Sequence, residues 1–305
     1  MFYCLINKEL NNQSAKVRIS GPDAYTYLQG QFSQDLNAPI GGSAYGLWLN
    51  QKGKALADST VLRCAEKEFL ILSTGVAPAE LRARLEAYLI ADEVELADES
   101  ATAVPLVLIG DGCGALLAGL LAVSPGPGRY VEAAGAVVHP GRYSTQENYV
   151  AWLRPESVAQ WRDWLARAGV SEAGVATVER ERILAGIPAV PRDIGPNDLP
   201  NEGGLDAVAI SYTKGCFLGQ EVMARLKNLG QVRRRLHQVR GTGVAPASGT
   251  PFFQGERRIG ELRSTVRDGD GWIGLAMLGL VGLDAAAPLA VGAPDGTRAE
   301  ILPHG

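Results

Sequence analysis

Cysteine and histidine are scarce and scattered in this 305-residue chain, which holds four of the first and three of the second. Cys4, Cys64, Cys113 and Cys216 stand far apart, and His139, His237 and His304 are equally dispersed, with no Cys-x-x-Cys pair and no histidine at ligand spacing. A disulfide scaffold is excluded, and no stably bound zinc or iron-sulfur site built by this chain alone is expected. The opening residues, Met1-Phe2-Tyr3-Cys4-Leu5-Ile6-Asn7-Lys8-Glu9, lack the apolar core of a secretion signal. A reducing, cytoplasmic compartment is the expectation. An excess of charge of one sign is also missing: 29 Lys and Arg against 33 Asp and Glu leave a net charge of -4, which gives no general attraction to nucleic acid or to an anionic membrane.

Long hydrophobic runs reduce to one, Ala103 to Val123, whose single charge is Asp111. A membrane span would hold Asp111 near mid-bilayer at a cost of about 2.5–3.5 kcal/mol. Gly110, Gly112 and Gly114 mark instead a turn from a buried strand, Val104 to Ile109, into a helix. The same glycines are a weak dinucleotide signal, because the third comes early for Gly-x-Gly-x-x-Gly and no series of strand-helix-strand units surrounds them. No Gly-x-Ser-x-Gly elbow, Walker loop or His-Glu-x-x-His motif occurs.

What the chain does contain is a globular composition, 46% apolar and 20% charged, with 37 glycines that point to many turns. Its length predicts more than one core. Strands are predicted at 15–19, 45–49, 55–62 and 68–73, the middle two joined by the Asn50-Gln51-Lys52-Gly53-Lys54 turn. A helix over 24–29 is expected to stop at Gly30, and another begins at Pro78 with Leu81, Leu85, Tyr88 and Leu89 on one face. Further strands are expected at 94–96, 131–139 and 149–153, and helices at about 155–168 and 177–185, followed by an irregular proline-rich segment, 187–200. From Arg233 short strands and frequent turns suggest a small antiparallel barrel or sandwich.

Three places carry candidate chemistry. In Lys214-Gly215-Cys216-Phe217-Leu218-Gly219-Gln220-Glu221 a lone thiol lies between a lysine and the start of a helix drawn from Gly219 to Leu229, with Val222, Leu226 and Leu229 inward and Gly230 as its C-terminal cap. An ammonium and a helix N-terminus both favour thiolate, yet cysteine also packs as a small hydrophobe; the residues alone leave both readings open. Glu221 is suited to the first helical turn or to acid-base work. Asp58 interrupts a strand-like run and either faces solvent or offers a pocket a carboxylate suited to paired N–H donors, such as those of a pterin. Between Glu221 and Glu256 there is no acidic residue while Arg225, Lys227, Arg233, Arg234, Arg235 and Arg240 accumulate, either as a solvated face or as an attraction for a polyanionic tail or RNA.

Five stretches in order resemble one known family: Ile19-Ser20-Gly21-Pro22-Asp23-Ala24 with Leu28-Gln29-Gly30-Gln31; Gly46-Leu47-Trp48-Leu49-Asn50 through Gly53-Lys54 to Asp58; Arg182-Ile183-Leu184-Ala185-Gly186-Ile187-Pro188; Asn201-Glu202-Gly203-Gly204-Leu205-Asp206; and Lys214 to Glu221. They are similar to those of the YgfZ-type proteins, folate-binding relatives of the glycine-cleavage aminomethyltransferase. The resemblance implies an α+β fold of three lobes in a ring: two intertwined parts within residues 1–230, one ferredoxin-like, and a C-terminal antiparallel β-barrel over 231–305. It implies tetrahydrofolate, or a one-carbon derivative of it, in the central hole. It also implies a role in assembling or repairing iron-sulfur proteins, especially four-iron ones, through Cys216, with Lys214 lowering the thiol's pKa. Folate contacts fall by the same route to Asp58, Trp48, Gln31, Arg182 and Tyr212. The implied partners are reduced folate and iron-sulfur client or assembly proteins, with no membrane partner, and the chain is expected to be a monomer. Folate-dependent aminomethyl or one-carbon transfer and an accessory role in tRNA modification stay open. The chain departs from aminomethyltransferases at Cys216, where they carry an aspartate, at Ala57-Asp58, where they pair two acids, at Leu184, where they place a pterin-binding glutamate, and near Gly141-Arg142-Tyr143-Ser144, where they have Gly-Tyr-Thr-Gly.

Overall fold

The computed structural model describes residues 1–6 and 13–303. His304, Asn7 to Glu9 of the opening segment and the Leu229 side chain lie outside the described residues and atoms.

After β1 (Phe2–Leu5), β2 (Ala15–Ser20) buries Ala15, Val17 and Ile19 by strict alternation. Helix α1 (Ala24–Gln31) runs through Gly30, where a stop was expected; the chain leaves it at Phe32, which turns extended and is fully buried in the core. Tertiary burial, not the glycine, ends this helix. β3 (Ser43–Leu49) and β4 (Ala55–Ala65) form a hairpin whose turn is fastened by the Asn50 side chain, which accepts from the amides of Lys52 and Lys54. β5 (Glu68–Ser73), α2 (Pro78–Glu86) and β6 (Glu95–Asp98) complete the first layer, a sheet of order β3-β4-β5-β2-β6.

The second layer holds β7 (Val104–Ile109), α3 (Cys113–Leu121), β8 (Val131–Ala133), β9 (Ala136–Pro140), β10 (Asn148–Leu153), α4 (Val158–Arg167) and β11 (Ser171–Glu172), in a sheet ordered β11-β1-β7-β10-β9-β8. β7 pairs antiparallel with both neighbours, which removes the dinucleotide reading of Gly110, since that motif needs a parallel crossover. The run expected as one strand over 131–139 is a hairpin. Ala134 and Gly135, with φ of 51 and 70, form its tight turn, which Glu132-Ala133-Ala134-Gly135 hides among small apolar residues.

α5 (Val175–Leu184), α6 (Asp206–Ala209) and α7 (Gln220–Leu229) lead into β12 (Arg234–Thr242), β13 (Pro251–Gln254), β14 (Arg257–Asp268), β15 (Gly271–Gly279), β16 (Leu289–Val291) and β17 (Arg298–Ile301), which close as an antiparallel barrel. Gly230 follows α7 with φ -108, so it gives no left-handed cap; a Cβ there would meet Leu226 at 2.9 Å.

The layers face each other through Leu62, Leu70 and Leu72 on one side and Val137, Val150 and Trp152 on the other. The barrel joins them through Leu236, Ile273, Leu275 and Met277, packed against Leu47, Leu49, Ile183 and Met223. Each fully buried aliphatic side chain contributes about 1.5–3 kcal/mol, so this shared core holds the barrel firmly to the sheets.

Candidate functional site

Between the facing sheets, α5 and the proline-rich segment enclose a cavity of about 450 Å³, within the size range of small-molecule sites, roughly 300–1,000 Å³. Asp58 lies in its wall. In the β3–β4 ladder Asp58 is opposite Leu47, which puts Tyr45 on the same face one step along the diagonal. The Tyr45 hydroxyl donates to Asp58 Oδ2 at 2.8 Å. Burial pushes the Asp58 carboxyl up to about 6, against the lowering effects of the Tyr45 hydrogen bond and the Arg142 guanidinium. Burial and the Asp58 charge hold Tyr45 well above the usual phenol range, so it stays a donor. At Gly75 a Cβ would lie 2.2 Å from Val190 O and 3.9 Å from Asp58 Oδ1, so only glycine lets the proline-rich segment close over this end of the cavity.

Arg142 Cζ sits 4.0 Å from the Tyr45 ring centroid, a cation–π contact. Tyr143 places its hydroxyl 2.7 Å from Thr74 Oγ1. His139 also lines the cavity, but both ring nitrogens are engaged: Nδ1 is 2.9 Å from Pro140 O, and Nε2 accepts from the Trp152 indole at 3.3 Å. This bonding assigns the proton to Nδ1. Burial pushes the imidazole down to about 4, so it is a neutral wall residue.

The expected folate contacts separate. Asp58 and Arg182 line the cavity; Trp48, Gln31 and Tyr212 do not. Trp48 is fully buried against Phe32 and donates to Ser59 Oγ at 2.8 Å. Gln31 accepts from Arg84 at 3.3 Å, and Tyr212 lies under Lys227 at 4.1 Å. The Arg182 guanidinium donates to Asp193 at 2.7 Å, to Glu179 at 2.9 Å, to Ser264 Oγ at 3.0 Å and to Ile187 O. It is a hub that ties α5 to the proline-rich segment and to β14.

The Lys214 to Glu221 stretch lies outside the cavity wall. Lys214 Nζ donates to the carbonyls of Gln29, Phe32 and Gln34 at 2.8, 2.7 and 3.0 Å, and burial pulls its pKa down to about 8. The ammonium expected to act on Cys216 is thus committed to the end of α1. The Leu218 amide donates to Gly30 O. Gly219 has φ 86, and a Cβ there would strike Asn50 O at 2.8 Å; at Gly53 a Cβ would meet Val222 and Met223 at 2.9 Å. α7 therefore sits directly on the β3–β4 turn. Cys216, three residues ahead of the Gly219 cap, is exposed, whereas Cys4 and Cys113 are buried and Cys64 is partly so. Burial raises the pKa of those three.

None of the basic residues from Arg225 to Arg240 lines the cavity. Arg234 binds Asp198 and Glu202, and Arg240 faces Asp268 at 3.8 Å. Among the described residues no cluster of three or more His, Cys, Asp or Glu could hold a metal ion, and no helix is long and apolar enough to cross a membrane.

With this geometry in place, residues 11–214 match the family described as the GCVT N-terminal domain. The chain belongs to that family. Residues 233–303, spanning the barrel, match the CAF17 C-terminal beta-barrel domain. Relatives include the mitochondrial iron-sulfur cluster assembly factor IBA57 of Homo sapiens, 28% identical over 86% of this chain and 74% of that one. The tRNA-modifying protein YgfZ of Edwardsiella ictaluri (strain 93-146) is 29% identical over 74% of this chain and 68% of its own. The glycine cleavage system aminomethyltransferase T of Bartonella henselae shares the fold, with a TM-score of 0.81 over 97% of this chain and 83% of that one, at 20% identity. The GCVT-like architecture and the α+β layout with a closed six-stranded barrel thus agree with the resemblance read in the sequence.

Sequence reasoning missed Tyr45, Thr74, Tyr143, Glu179 and the cavity position of Arg142. Tyr45 was within reach: once the Asn50 to Lys54 turn is drawn, the register sets it beside Asp58. Arg142 gives no local signal, because it arrives from the β9–β10 connection of the opposite layer.

Proposed function

We propose that this protein binds a reduced folate in the Asp58 cavity and serves the assembly or repair of iron-sulfur proteins, with Cys216 as the reacting thiol. The observation that carries the reading is a division of labour within a GCVT-family fold: an acceptor carboxyl in the wall of a cavity, and one exposed thiol on a clamped segment outside it. The residues fit the ligand class. Asp58 presents the carboxylate that the amino and ring N–H groups of a pterin pair with. A bound folate would supply its one-carbon chemistry there; the chain's own residues bind it, orient it and, at Asp58, hold or release a proton near pH 6. Because Cys216 does not line the cavity, its partner is a docked client, to which it offers a nucleophile, a redox thiol or a transient cluster ligand. A relative named as an iron-sulfur assembly factor supports that client class. A reducing compartment, the cytoplasm by the sequence expectation, suits four free thiols.

Cys216→Ser in cells tests the reading. Activities of four-iron enzymes are expected to fall while the variant remains as abundant as the parent, and normal activities would redirect attention to folate chemistry. Calorimetry with tetrahydrofolate tests the cavity; binding at tens of micromolar or tighter is expected, weakened by Asp58→Asn.

A role in tRNA modification is a second reading, favoured by the exposed Arg225, Lys227, Arg233 and Arg235 and by a relative named as a tRNA-modifying protein. A salt-dependent tRNA shift abolished by replacing Arg233 and Arg235 would support it. Folate-dependent one-carbon transfer would show itself as a folate adduct formed from a methylated or aminomethylated donor.

A further inference from the structure

We infer that Arg142 reads the 4-oxo group of the cavity's ligand, so that Asp58 and Arg142 together select a 2-amino-4-oxo pyrimidine edge over its 2,4-diamino counterpart. The inference rests on the folate reading and adds a specificity residue to it.

Three guanidinium groups line the cavity: Arg142, Arg182 and Arg192. Arg182 is consumed by Asp193, Glu179, Ser264 and the Ile187 carbonyl, and Arg192 is bound to Glu179. Arg142 forms no hydrogen bond or ion pair with any described residue; it stacks on the Tyr45 ring at 4.0 Å, and its charge acts on Asp58 through space. Among the described cavity residues it is therefore the guanidinium whose N–H donors are uncommitted. Stacking pre-orients it, as a planar cation over an aromatic face.

Tyr45 also fixes the other half of the site, since its hydroxyl holds Asp58 Oδ2 at 2.8 Å. One tyrosine ring thus spaces a pure acceptor, the carboxylate, from a pure donor, the guanidinium. A ligand that satisfies both must carry N–H donors next to a carbonyl acceptor on the same ring. The 2-amino, N3–H and 4-oxo groups of a pterin have that order. An amino group at position 4 would set donor against donor.

The test compares tetrahydrofolate with tetrahydroaminopterin, in which a 4-amino group replaces the 4-oxo group and N3 carries no hydrogen, by calorimetry on the full chain; the change of their affinity ratio on replacing Arg142 isolates its share from that of Asp58. The wild-type protein is expected to prefer the 4-oxo ligand. Arg142→Met, which removes the donors, should weaken tetrahydrofolate by roughly tenfold and leave the 4-amino analogue unaffected or improved, so that the ratio of affinities falls about tenfold. Arg142→Lys keeps a donor and should retain most of the preference. The ratio within one variant is insensitive to a loss of folded protein. An unchanged ratio in Arg142→Met, with both ligands still binding, would overturn the assignment and leave the folate reading standing. A wild-type protein that binds neither ligand overturns both.

Discussion

A carboxyl held near pH 6 inside a folded chain carries a proton that the unfolded chain has already released. For Asp58 the native pKa is about 6 against an ordinary 3.8, raised by burial. Between those values the native state binds more protons than the unfolded one, so stability falls as pH rises through the window and the cost is fully present above it. Asp58→Asn should therefore raise stability at pH 7.5 by about 1–2 kcal/mol, allowing for the partial opening of the carboxyl to the cavity. At pH 4 or just below, the two proteins should unfold alike. Urea denaturation at both pH values checks this, and equal stability at pH 7.5 would mean that Tyr45 and Arg142 fully offset the burial. Gly75 points the same way: its close approach to Val190 O encloses Asp58 at the expense of a side chain there. A gain in stability on Asp58→Asn would be the pattern of a site selected for binding rather than for folding.

The segment from Lys214 to α7 shows what an element adds to its residues. The sequence puts a lysine two places from a thiol and suggests activation; the fold uses the same ammonium to close three carbonyls at the end of α1. Lys214→Met should accordingly cost about 1–3 kcal/mol, because it strands three partly buried acceptors and not merely a charge. Thermal unfolding measures it, and a variant of normal stability with slowed Cys216 alkylation would restore the activating role. Legibility follows the range of the interaction. Asn50 to Lys54 and the alternation of β2 are local, and both were readable. So was α7, which begins at Gln220 where Gly219 was expected, since Gly219 caps it. The end of α1 was misplaced because Phe32, not Gly30, decides it by burial in a core assembled from other strands. The hairpin at Ala134 and Gly135 was missed for the opposite reason, an alanine occupying a left-handed turn position that sequence statistics reserve for glycine or asparagine.

At the scale of the molecule, the joint between barrel and sheets is the feature least visible in the chain. Short strands and turns after Arg233 announce a barrel, but nothing local announces that Ser264 on β14 meets Asp193 of the proline-rich segment and Arg182 of α5. Asp193 is fully buried; it accepts from Arg182 at 2.7 Å, from the Ala189 amide at 2.8 Å and from the Ser264 hydroxyl. Arg182, 3% exposed, shares its charge between Asp193 and Glu179. Breaking such a buried pair costs up to about 3–5 kcal/mol, lessened here because the Glu179 carboxylate stays on Arg182 at 2.9 Å. Asp193→Asn should therefore lower the urea midpoint strongly. Because Leu236, Ile273, Leu275 and Met277 of the barrel share a core with Leu47 and Ile183, the expected transition stays single, with the m-value unchanged. Two separated transitions would show that the polar joint, and not the shared apolar core, couples the barrel to the cavity. The distinction bears on function, since Arg182 and Glu179 form part of the cavity wall: a coupled barrel lets a ligand beside Asp58 stabilise β14, and slower amide exchange in β14 on adding tetrahydrofolate is the signature that a single folding unit requires.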